Sequence, residues 1–267
     1  MKNNKLPLIS AALLLTIIGT GVWLYSRKVN SKITVEPQAQ KKKITLPVNI
    51  IPQEEAPYLR LVPVDSHNIQ IEVAQVKKPA DSMEYELEYQ SGSLLQGAFG
   101  EIMISELPAI EKILLGSCSA GGSCTYHEDI TGGTLLLSFD GPEDYALKNG
   151  WRYFENTDRE TEFGSKDAKF LVKSDDLAAK SYLIVYNSPG YPAQLPGKLR
   201  SPVYQLSTAG TLIGQGQVTI KADQDSPNLI LVGYDGQEWQ ELESVIEDRT
   251  VTATGKLMEA YAVIEGG

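Results

Sequence analysis

The sequence predicts an all-β protein: two tandem β-sandwich domains behind one N-terminal transmembrane helix. Three observations carry that prediction. Met83, Tyr85, Leu87 and Tyr89 alternate with Glu84, Glu86 and Glu88, which puts apolar side chains on one face of a strand and carboxylates on the other. Short segments of this kind recur along most of the chain, separated by Gly, Asp and Ser, at the density of a sandwich. Residues 6–25, bounded by Leu6 and Tyr25, hold no charged residue, and as a helix they would reach about 30 Å, the thickness of a bilayer's hydrocarbon core.

Residues 1–28 read as a transmembrane signal anchor. Gly19-Thr20-Gly21 offers a small-x-small cleavage site, but Val22, Trp23, Leu24 and Tyr25 prolong the apolar run and put aromatics where an interfacial belt would sit. No cysteine lies near the segment to carry a lipid. Lys2 and Lys5 on one flank, and Arg27, Lys28 and Lys32 on the other, are too evenly matched to orient it. Residues 29–56 are polar, with Pro37, Pro47, Pro52 and a Lys41-Lys42-Lys43 run, and read as a stalk.

About 210 residues follow, enough for two domains of about 100 residues each. The first is placed at 57–160 and the second at 161–267, with the seam between Asn156 and Lys166. Strands are expected in the first over residues 58–64, 69–73, 83–89, 97–104, 112–115, 125–127, 134–139 and 151–154. In the second they are expected over 168–173, 181–187, 202–206, 217–222, 228–234, 238–242, 249–254 and 260–264. Asp235-Gly236, between two apolar runs, is the strongest hairpin signal in the chain. Only residues 107–115 and 175–180 invite a helical reading, and both are short.

Cys118 and Cys124 sit in the run Gly116-Ser117-Cys118-Ser119-Ala120-Gly121-Gly122-Ser123-Cys124. A loop of small residues closes a disulfide without straining the backbone, and an exported domain is where the bond would persist. The competing reading makes Cys118, Cys124 and His127 zinc ligands. A structural zinc site needs four ligands, and the one other histidine, His67, lies 51 residues before Cys118. The disulfide is the expected state; it favours an extracytoplasmic location, and no metal or cofactor is assigned.

The chain carries 24 basic and 34 acidic residues. Its first 32 residues hold five basic residues and no acid, leaving 19 basic against 34 acidic beyond them, a net −15. Such a balance disfavours nucleic acid as a partner, and it also keeps an exposed protein soluble. The acid-rich stretches 140–144 and 223–225 invite calcium, though neither has the twelve-residue EF-hand pattern.

From Pro202 onward, the strands at 202–206, 218–220 and 229–234, the Asp235-Gly236 turn, Trp239, Val251-Thr252-Ala253 and Tyr261-Ala262-Val263 resemble the ZU5-like β-sandwich modules of bacterial and archaeal surface proteins. The resemblance covers about a quarter of the chain and implies an Ig-like or ZU5-like sandwich in which these motifs are framework. Some relatives cleave themselves at a His-Phe-Ser step before the last strand; Leu257-Met258-Glu259 stands there in this chain, so self-cleavage does not carry over. The first domain is similar to those of uncharacterised membrane-anchored bacterial surface proteins, which implies a surface location.

The leading functional reading is a non-catalytic, single-pass membrane protein whose C-terminal domains face outward and serve surface attachment or envelope assembly, with a protein or carbohydrate partner. A second reading is a carbohydrate- or calcium-dependent binding module. Its platform would be Tyr145, Trp151, Tyr153 and Tyr191, since exposed aromatics stack on sugars or anchor a protein, though such residues also close cores. A third, an exported hydrolase, would pair Ser117 or Ser123 with His127 beside Glu128 and Asp129, but Gly-x-Ser-x-Gly is missing. No catalytic residue is assigned.

Overall fold

Alternation of apolar and polar residues sets up strand after strand, and the computed structural model, which describes residues 46–266, contains twenty of them. The anchor at 1–28 and the stalk up to residue 45 lie outside the described residues. Among the described residues no helix is long and apolar enough to cross a membrane. In chain order the first strands are β1 (Tyr58–Asp65), β2 (Asn68–Gln75), β3 (Ser82–Ser91), β4 (Leu94–Met103), β5 (Ala109–Leu114), β6 (Gly116–Cys118) and β7 (Cys124–Tyr126). Next come β8 (Ile130–Asp140), β9 (Tyr145–Glu155), β10 (Glu162–Gly164), β11 (Phe170–Lys173), β12 (Tyr182–Ser188), β13 (Lys198–Leu199) and β14 (Val203–Thr208). The last are β15 (Gln215–Lys221), β16 (Leu229–Tyr234), β17 (Trp239–Leu242), β18 (Ser244–Glu247), β19 (Thr250–Lys256) and β20 (Ala260–Glu265).

Neither segment that invited a helical reading forms an α-helix. Residues 109–114 are β5, and Asp175–Ala179 is a single 3₁₀ turn capped by Ser174, whose Oγ accepts from the Asp176 amide at 3.2 Å. Ala109 and Ile113 are buried, and β5 pairs with β2 along its whole length, Ala109 opposite Val73 and Ile113 opposite Ile69.

The spine is a ten-stranded antiparallel sheet in the order β17-β16-β20-β14-β12-β9-β8-β3-β4, with β13 joined to β20. A three-stranded sheet, β1-β2-β5, covers one face of it and encloses a core that includes Leu61, Ile71, Leu87, Leu137, Trp151 and Ile184. A five-stranded sheet, β10-β11-β15-β19-β18, covers the opposite face further along and encloses Phe170, Val185, Tyr204, Val218 and Val263. β12 lies where the cover changes sides: Ile184 and Tyr186 point into the first core, Leu183 and Val185 into the second.

The spine runs through the expected seam. β9 pairs with β12, Glu155 opposite Tyr182 and Trp151 opposite Tyr186, so residues 156–166, which include β10 of the covering sheet, fall between two neighbouring strands of the spine. Side chains also tie the halves together. Gln205 and Ser207 of β14 donate to the carbonyls of Leu59 and Leu61 of β1, the second at 2.6 Å, and Arg60 lies 3.5 Å from Glu259. The two cores are thus separate while the sheet that divides them is continuous.

Candidate functional site

The most exposed ordered feature is the hairpin β6–β7, in which Gly116, Ser117 and Cys118 face Tyr126, Thr125 and Cys124. Its tip is closed by the Ser119 amide donating to the Ser123 carbonyl at 2.8 Å and by the Gly122 amide donating to Ser119 O at 2.9 Å. Gly122 adopts φ +81°, a conformation that costs glycine nothing. Cys118 and Cys124 form the expected disulfide, with Cα atoms 4.0 Å apart. All residues from Ser117 through Tyr126 are exposed.

The hairpin is rooted by the two histidines. Tyr126 stacks on the His67 ring with centroids 3.9 Å apart. The His67 carbonyl accepts from the Leu115 amide at 2.7 Å, and the Leu115 carbonyl accepts from the His127 amide at 2.9 Å. His67 is itself set by the turn between β1 and β2, where Asp65 Oδ1 accepts from the His67 amide at 2.9 Å and from Asn68 Nδ2 at 2.7 Å. Burial pushes the Asp65 carboxyl up, but hydrogen bonds from Asn68 and the His67 amide, together with the nearby Lys112 ammonium, hold the group below its ordinary value. On the other side, His127 Nδ1 and the Tyr89 hydroxyl are 2.8 Å apart, and burial raises the Tyr89 phenol to about 12.

This arrangement bears on both chemical readings of the segment. With both sulfurs joined in the disulfide, Cys118 and Cys124 are not thiolate ligands and cannot hold zinc with His127. His127 Nδ1 has the phenol of Tyr89 within hydrogen-bond reach, and among the described residues no hydrogen bond joins it to Ser117 or Ser123.

The aromatic platform is also corrected. Tyr145, Trp151 and Tyr153 are odd-numbered residues of one strand, β9, and all three turn inward, with Tyr145 and Trp151 at or below 1% exposure. Tyr145 stacks on Phe139 at 4.5 Å, Trp151 meets Tyr89 edge-on, and Tyr153 stacks on Tyr182. Tyr191 is buried against Val203 and Ile264, with the Lys77 ammonium 4.0 Å above its ring. None of the four offers a free face to a sugar, and the even spacing within β9 was the sequence signal for this. The acid-rich stretches are engaged as well: Glu143 pairs with Lys78 at 2.6 Å and Asp223 with Lys169 at 2.8 Å.

Two features of possible function escaped the sequence reading. One is the rooting of the hairpin on His67 and Tyr89, contacts between residues far apart in the chain that no local pattern announces. The other is a polar cleft of about 530 Å³ where the halves meet, lined by Arg60, Lys256, Asp235 and Glu259 among others. No family model, curated protein or solved structure matches this chain.

Proposed function

We propose that this chain is a non-catalytic, single-pass membrane protein that presents two sandwich halves, the first Ig-like and the second ZU5-like, outside the cytoplasm for surface attachment or envelope assembly. Residues 6–25 would anchor it, the polar stalk would set its reach, and the rigid β scaffold would hold out loops that make the contact. The partner is a protein or carbohydrate at the cell surface.

The observation that carries this reading is the exposed hairpin stapled by Cys118–Cys124. An exposed disulfide persists in an oxidising compartment and is reduced in the cytoplasm, and a stapled loop meets a partner with less conformational entropy left to lose.

Protease shaving of intact cells tests it, with an antibody against the C-terminal half and thiol labelling under non-reducing conditions. The expected result is cleavage of the ectodomain, with both cysteines unlabelled until reductant is added. Full protection together with two freely labelled thiols would place the domains in the cytoplasm and end the proposal. In cells passing that test, Cys118→Ser/Cys124→Ser combined with glycines at residues 119–123 is expected to reduce attachment while leaving surface amount unchanged.

A further inference from the structure

The ends of β-sheets expose unpaired amide and carbonyl groups, and folded proteins shorten, charge, bend or cover them. Most edges here are treated in that way. β10, β17 and β18 are three or four residues long. The outer edge of β1 contains Pro63 and lends its Leu59 and Leu61 carbonyls to Gln205 and Ser207. β4 is different: ten residues pair with β3 without a register shift, and among the described residues no strand lies on the other side. It has no proline and no lysine, and its one charge is Glu101.

Which groups point outward follows from the ladder. The Ile104 amide donates to the Asp81 carbonyl, one step beyond the last pair, Met103 opposite Ser82, in the same register. Antiparallel ladders alternate between bonded and non-bonded pairs, so the even residues of β4 bond to β3. The odd ones, Leu95, Gly97, Phe99, Glu101 and Met103, aim their N–H and C=O at the open edge. The same odd residues share one face of the strand, and Leu95, Phe99 and Met103 are 68%, 62% and 62% exposed.

We propose that β4 is a dimerisation edge, pairing antiparallel with β4 of a second copy about a two-fold axis through Phe99. The strand is self-complementary in that register. Leu95 and Met103 flank Phe99 at equal distances, so the axis sets Phe99 against Phe99 and Leu95 against Met103 of the other copy, which covers the apolar stripe with itself. Charge agrees: Glu101 falls opposite Gly97, the one residue on that face with no side chain, and the two Glu101 carboxylates stay apart. Sliding the pairing until Glu101 meets Glu101 would oppose like charges and strip Leu95 of its partner. The odd residues together would form roughly ten ladder hydrogen bonds.

The test uses the full chain in detergent micelles, followed by sedimentation velocity over a wide concentration range, since an edge-only contact belongs among the weaker interfaces. A reversible monomer–dimer equilibrium is expected. Phe99→Lys places two ammonium groups on the axis, and Phe99→Pro deletes an N–H that faces outward, leaving the β3 ladder intact. Each is expected to weaken the dimer by about tenfold or more, with the near-ultraviolet signal of buried Trp151 unchanged to show that the fold survives. In a Phe99→Cys variant a short bis-maleimide is expected to cross-link position 99 to itself, and in a Val245→Cys variant it is not. A wild-type chain that stays monomeric throughout overturns the proposal. So does a dimer indifferent to both substitutions, which would locate the contact elsewhere, such as in residues 6–25.

Discussion

Trp151 shows how burial decides the role of a residue. Its side chain is fully buried and meets the Tyr89 ring edge-on. Its Nε1 finds no acceptor among the described residues. Trp151→Ala should therefore cost about 3–5 kcal/mol through the cavity it leaves. Trp151→Phe should cost much less, because it also discards an unpaired donor; urea denaturation of the two variants checks the ordering. Asp167 is the counterpart among charged residues. Although the residue as a whole is exposed, its carboxylate accepts from Ser165, the Lys169 amide, Asn187 and Tyr204 at 2.5–3.2 Å. Burial raises this carboxyl, and the four donors more than reverse that, so it lies below 3.8. Ionisation is thus favoured by folding: the contribution is complete above pH 3.8 and is lost as pH falls through the folded value. Asp167→Asn is expected to lose about 1 kcal/mol at neutral pH, given solvent screening, and the gap to wild type should close in acid. Urea midpoints measured against pH read that gap directly.

Among the elements, the hairpin β6–β7 and the central strand β12 differ in how far the sequence revealed them. The disulfide was legible because its loop is local and made of small residues. Its stabilising effect is local too: a ring this short constrains the unfolded chain by about 2 kcal/mol, while the hairpin adds no residue to either main core. Cys118→Ser/Cys124→Ser should lower Tm by several degrees, and amide exchange should quicken at Ser119 and Gly122 without quickening in β8 or β12; equal quickening everywhere would mean that the hairpin nucleates the fold. The strands of the first half were legible from strict alternation, as in β3. β12, β14 and β20 lack alternation: Leu183 through Tyr186, Val203 through Thr208 and Ala260 through Ile264 are buried on both faces. In β12 and β20 the buried residues form continuous apolar runs, Leu183 through Tyr186 and Ala260 through Ile264, of the kind that marks strands covered on both sides; β14 gives no such sign, because Gln205, Ser207 and Thr208 interrupt it. The inward turn of Tyr145, Trp151 and Tyr153 could be read from their even spacing. The docking of His67 under Tyr126 could not, because it depends on how two distant turns meet.

At the scale of the whole molecule, the continuous sheet determines how the halves respond to stress. Two beads on a string would unfold in separate steps, each with its own midpoint. Here β9 and β12 exchange five paired residues across the expected seam, β12 supplies side chains to both cores, and β1 accepts buried hydrogen bonds from β14. Melting either half first would leave β12 with one bare apolar face and would orphan the Gln205 amide, a penalty of several kcal/mol that couples the two transitions. Trp151 reports on the first half and Trp239, whose Nε1 donates to Ala193 O at 3.2 Å, on the second. In a Trp23→Phe background, chains keeping only Trp151 or only Trp239, each lost tryptophan replaced by Phe, should show coincident urea midpoints. Midpoints that separate by more than the shift caused by the substitutions themselves would mean that the seam is a true domain boundary. Replacing Gln205 by Leu, which removes the link to Leu59, should then draw the two midpoints apart, since it weakens the coupling while leaving each core filled.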